Sequence, residues 1–87
     1  MRMERPAMDD FLASVERQAF RMAELATRNS DEALDIVQDA MISLATRYSK
    51  RPQDEWRPLF YRILSNKVRD WHRRSTVRNR VLSFFSG

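Results

Sequence analysis

The 87-residue chain has no cysteine, a single glycine at its last position, and three prolines, at positions 6, 52 and 58. Without cysteine, neither a disulfide nor a thiolate metal site can staple so small a domain, and a reducing compartment is its natural setting. So few backbone breakers, beside abundant Ala, Leu, Glu and Arg, argue against a turn-rich β architecture and for helices throughout. No apolar run approaches the roughly 18 residues of a membrane span, and the N-terminus lacks a signal-peptide core. The expectation is a soluble, cytoplasmic domain. Histidine occurs once, at His72, so no histidine cluster for a metal and no Ser–His–Asp arrangement is available, and there is no glycine-rich phosphate loop. The chain is expected to be no enzyme and to need no cofactor or metal.

What is present is charge, unevenly placed. The net charge of +4 divides into −4 over residues 1–45, with five arginines against nine acids, and +8 over residues 46–87, with eleven Lys/Arg against three acids. Such a split predicts two surfaces with different partners, one acidic and one basic.

Hydrophobic spacing predicts an all-α, small three-helix bundle. Met8, Phe11, Val15, Ala19, Met22 and Ala26 recur at steps of three and four, marking one buried stripe on a helix over about 8–27. Asp9 and Asp10 suit its positive end. Ser30 is expected to cap a second helix over about 31–48, whose seam is Leu34, Val37, Met41, Leu44 and Tyr48. The short link between them predicts an antiparallel hairpin. Ser49 to Glu55 reads as a loop, since Pro52 bars continuation of the helix. The third helix spans about 55–74, with Pro58 tolerated in its first turn. Its apolar side is Trp56, Phe60, Ile63 and either Lys67 or Val68, broadened by Leu59, Leu64 and Trp71. Beyond Ser75–Thr76 the tail RNRVLSFFSG has room for a short fourth helix. The expected division is a helical domain over 1–74 and a tail over 75–87.

Two constellations carry chemistry. At 100° per residue, Arg62, Asn66, Arg69 and Arg73 of the third helix form one row about 16 Å long, flanked by Lys67, His72 and Arg74. A row of guanidinium groups attracts a phosphate backbone without regard to sequence. Asn66 adds an amide that both donates and accepts, able to test a base edge. Tyr61, next to the row, is a candidate to stack on an unpaired base. The second constellation is Asp35, Gln38 and Asp39 on the second helix, with Asp31 one turn earlier. Asp35 and Asp39 repel each other at this spacing by only a few tenths of a kcal/mol, so the set fits a plain solvated face as well as a docking face for a basic partner helix.

In this order, DEALDIVQDAMISLATRY followed by WRPLFYRILSNKVRDWHRR resembles region 2 of bacterial sigma factors, in particular the extracytoplasmic-function group. The matching stretches are residues 35–45, DIVQDAMISLA, and residues 56–66, WRPLFYRILSN. The resemblance implies a sigma region 2-like bundle that docks on a coiled coil of the RNA polymerase β′ subunit through Leu34, Asp35, Gln38 and Asp39. It also implies capture of the promoter −10 non-template strand with a base flipped from the stack. Asn66 would touch that base, while Arg62, Lys67, Arg69, Arg73 and Arg74 would hold the backbone. Leu59 stands where the family usually has Trp, and Met41 where it usually has Phe. The 49–55 loop lacks the Phe and Gly often found there. Nothing in the sequence matches the second helical domain that reads the −35 element, so an excised domain is expected, with residues 75–87 beginning an interdomain linker.

Two other readings stay open at this point. One is a generic basic helical nucleic-acid binder, and the other a helical protein-interaction module that binds an anti-sigma-like partner.

Overall fold

A computed structural model of the chain describes residues 6–86, with side chains from 7 to 85. Among the described residues the only regular elements are helical: α1 (Pro6–Thr27), α2 (Ser30–Arg47), a 3₁₀ turn (Gln53–Glu55) and α3 (Trp56–Ser86). Each helix begins where local chemistry permits it. Pro6 opens α1, where its missing N–H would have had no partner. α2 is capped by Asn29, in extended geometry at φ −149° and ψ 111°, whose side chain accepts from the Glu32 amide at 3.0 Å. Ser30, the expected cap, is instead the first helical residue, and its hydroxyl donates to Glu24 Oε2 at 2.6 Å.

The α1–α2 corner is tight. Arg28 takes a left-handed conformation, φ 57°, and its amide donates to the Glu24 carbonyl at 2.7 Å, ending α1. Thr27, buried, donates its hydroxyl to the Ala23 carbonyl at 2.9 Å and accepts from the Asn29 amide at 3.2 Å. Phe20 shares a surface groove with Leu34 and Val37, and Leu12 another with Met41 and Ala45. The pair is therefore antiparallel, as the short link predicts. α3 then runs back along both. The Trp56 indole donates to the Tyr48 carbonyl at 3.2 Å near its start, and the Trp71 indole to Glu32 Oε1 at 3.0 Å.

The core is built from small residues on two helices and large ones on the third. Val15, Ala19 and Ala23 of α1 and Ala33, Ile36, Val37, Ala40 and Leu44 of α2 are buried against Trp56, Phe60 and Leu64 of α3. Phe11 tilts against Trp56 at 5.8 Å and meets Phe60 edge-on at 6.2 Å. Two expected core positions move outward: Met22 is 41% and Leu34 46% exposed. Alanines take the contact line, because helices that approach closely need small side chains there, and the larger apolar groups flank it.

The expected short fourth helix is not a separate element. α3 continues unbroken to Ser86, since Ser75 and Thr76 weaken a helix only slightly and no Gly or Pro follows before Gly87.

Candidate nucleic-acid interface

α3 turns its apolar side to the bundle, which forces its basic side outward. Arg62, Asn66, Arg69 and Arg73 are all exposed, along one edge of an open cleft of about 620 Å³ between α3 and the C-terminal end of α2. Lys67, half-buried, lines the same cleft. The opposite wall holds Ser43, Arg47 and Tyr48. Arg47 and Tyr48 were not legible as site residues, because the one reads as a helix-end cation and the other as part of the α2 seam. The cleft brings them within the same concavity as Asn66.

Tyr61 does not join this group. Its ring is half-buried and edge-on to Phe60 at 5.2 Å, and its hydroxyl is buried with no hydrogen-bond partner among the described residues. The aromatic ring that borders the cleft is Tyr48.

Asp70 modulates the row. Arg73 pairs with it at 2.8 Å and Arg74 at 3.2 Å. The hydrogen bond from Arg73 and then the charge of Arg74 hold its carboxyl below the ordinary 3.8 against the opposing effect of desolvation, with lesser help from the charges of Arg73 and Lys67. These ion pairs lie in water, where screening keeps them weak. Both arginines can therefore exchange the carboxylate for an arriving phosphate, while Arg62 and Arg69 carry no such acid one turn away.

On α2, Leu34, Asp35, Gln38 and Asp39 are all exposed on the side away from the core. Ile42, 60% exposed, continues the line Leu34–Gln38 by one further turn. The face is thus an apolar ridge beside two acids, bordered by the shallow α1–α2 grooves of about 370 and 270 Å³. Among the described residues no group of His, Cys, Asp and Glu is placed to hold a metal, and no helix is long and apolar enough to cross a membrane.

The described residues thus form an all-helical bundle with a cationic, asparagine-bearing cleft between α3 and the end of α2, and an acidic, partly apolar face on α2. Residues 8–82 match the model of sigma-70 region 2, and the chain belongs to that family. The family is a non-enzymatic transcription-factor domain that acts in promoter recognition and RNA polymerase binding. No curated protein and no solved structure matches the chain at a significant level.

Proposed function

We propose that this chain is the polymerase-docking and −10-reading module of a sigma factor of the extracytoplasmic-function group, working in the cytoplasm. The exposed Leu34, Asp35, Gln38 and Asp39 engage a basic coiled coil of the β′ subunit. Arg62, Lys67, Arg69, Arg73 and Arg74 hold the non-template strand, and Asn66 hydrogen-bonds a base extruded into the cleft. Extruding a base costs about a few kcal/mol. Stacking on an aromatic face returns about 1–3 kcal/mol, and a two-point amide contact discriminates by about 1–3 kcal/mol. Tyr48, half-buried but on the wall of the cleft, is the ring placed to stack on the base. No covalent step is needed from the module, since RNA polymerase supplies the catalysis.

The observation that carries this reading is the cleft itself, which gathers Asn66, Tyr48 and cations from two helices around one cavity large enough for a nucleobase. The test is binding of the labelled chain to core RNA polymerase by fluorescence anisotropy, wild type beside Asp39→Arg. Saturable binding that the substitution abolishes supports docking through α2. Absence of binding by the folded wild-type chain would sink it.

A further inference from the structure

Two apolar stripes lie open on this molecule, one on α2 and one on the end of α3. Residues 76–85 are exposed at every position, so about ten residues, or ~15 Å of helix, project from a molecule that measures 60 × 21 × 20 Å. Val77 and Val81 are about half exposed and Phe84 is 80% exposed. These three fall within about 60° of arc and form a stripe about 11 Å long. Arg80 flanks that stripe on one side, and Arg74 and Arg78 on the other. On α2 the stripe is Leu34 and Ile42, both exposed, with Gln38 between them. It runs for about 12 Å, beside Asp35 and Asp39.

The two stripes are set in opposite charge. Residues 30–42 hold four acids and no basic side chain, and residues 71–86 hold four arginines and no acid. Among the described residues, Asp31, Asp35 and Asp39 take part in no ion pair, and neither do Arg78 and Arg80. Within one molecule the stripes cannot meet. The Trp71 indole bonds Glu32 in the first turn of α2, so residues 76–85 run on past that end of α2, and the unbroken helix does not fold back. Each stripe is therefore left to another molecule. Two α3 ends side by side would oppose like charges, as would two α2 faces. An α3 end against an α2 face instead joins apolar to apolar and cation to acid. Such cover also suits a projection this short, since isolated helices below ~12–15 residues barely hold in water.

We infer that the chain self-associates head to tail, seating Val77, Val81 and Phe84 of one copy on the Leu34–Ile42 stripe of a second copy, with the flanking arginines facing Asp35 and Asp39. The contact is heterologous, because it pairs two different patches and each copy carries one of each. Stripes of three side chains make a small interface, so the association is expected to be weak and sensitive to salt. It covers the face proposed above for the polymerase, so a chain engaged in this way is withheld from docking. That consequence rests on the docking reading, whereas the contact itself does not.

The experiment is sedimentation velocity of the full chain, nuclease-treated and free of polymerase and DNA, over a concentration series at low and high salt. Circular dichroism checks the helicity of each variant. The wild-type mass should rise from 10.4 kDa to that of a dimer or larger below about 1 mM, and fall back in high salt. Val81→Asp spoils the α3 end and Asp39→Arg the α2 face, both at exposed positions, and each variant alone should stay monomeric. Mixed in equal amounts, the two retain one intact α3 end and one intact α2 face, and the mass should double. Contact between like patches predicts no such rescue. A wild type still monomeric at about 1 mM would overturn the proposal, whether or not the chain then binds phosphatidylglycerol vesicles. So would self-association that survives Asp39→Arg, which would set one α3 end against another, and so would a mixture that stays monomeric. No polymerase enters these readouts, so failure of the docking reading leaves them unaffected, and their failure leaves that reading standing.

Discussion

In the function proposed, Asn66 and its neighbours divide recognition between a group that reads and groups that hold. An exposed amide at the edge of the cleft can satisfy a base edge from both its donor and its acceptor, whereas a guanidinium on the same row meets any phosphate equally. Asn66→Ala should therefore weaken binding to the cognate single strand by about 1–3 kcal/mol and leave a random strand unaffected. Arg69→Ala should weaken both and flatten the salt slope by about one unit. Competition binding with the two strands separates these outcomes, and equal losses from Asn66→Ala on both would exclude base reading. Asp70 shows the same edge in its resting state. Its carboxyl titrates below 3.8 because Arg73 donates to it and Arg74 stands beside it. A folded value below the unfolded one means that the pairing favours the fold above the unfolded value, and that this contribution disappears as pH falls through the folded value. Carboxyl carbon NMR should thus give Asp70 a midpoint below 3.8, moved upward by Arg73→Ala. A midpoint that ignored the substitution would show that the hydrogen bond is not its cause.

At the scale of the helices, the order and pairing of the elements are legible in the sequence because each helix carries its own apolar spacing and the links are short. The side of α3 that faces the solvent is legible for the same reason: Trp56, Phe60 and Leu64 fix the buried side, and Arg62, Asn66, Arg69 and Arg73 follow outward by geometry. The seam of α2 is legible only to within one residue. Spacing that weights large side chains selects Leu34, whereas close approach of two helices selects Ala33 and Ala40. That displacement leaves Leu34 on the surface beside Gln38. Arg47, the last residue of α2, and Tyr48, which breaks helical geometry just after it at φ −126° and ψ 15°, line the cleft. No one-helix periodicity reports a cavity formed between two helices. Tyr61 lies outside the cleft lining for a related reason, since adjacency in sequence to Arg62 places it 100° away around the helix, against Phe60.

The whole molecule places its two faces on different helices but supports both from one core. Phe60 is fully buried, touches Phe11 of α1, and lies on the helix that bears the basic row. Truncating a buried phenylalanine to alanine costs about 3–5 kcal/mol. A domain of this size holds roughly 0.05–0.15 kcal/mol per residue, so such a loss removes a large share of its stability. Phe60→Ala should therefore lower the urea midpoint sharply and reduce polymerase and DNA binding together, in proportion to the fraction unfolded. Asp39→Arg and Asn66→Ala act at exposed positions on different helices. Each should leave the urea midpoint nearly unchanged and weaken one activity alone. The three variants compared by urea denaturation and by both binding assays make the distinction. Loss of DNA binding by Phe60→Ala under conditions where the chain remains folded would mean that the aromatic core shapes the cleft directly, rather than only holding α3 in place.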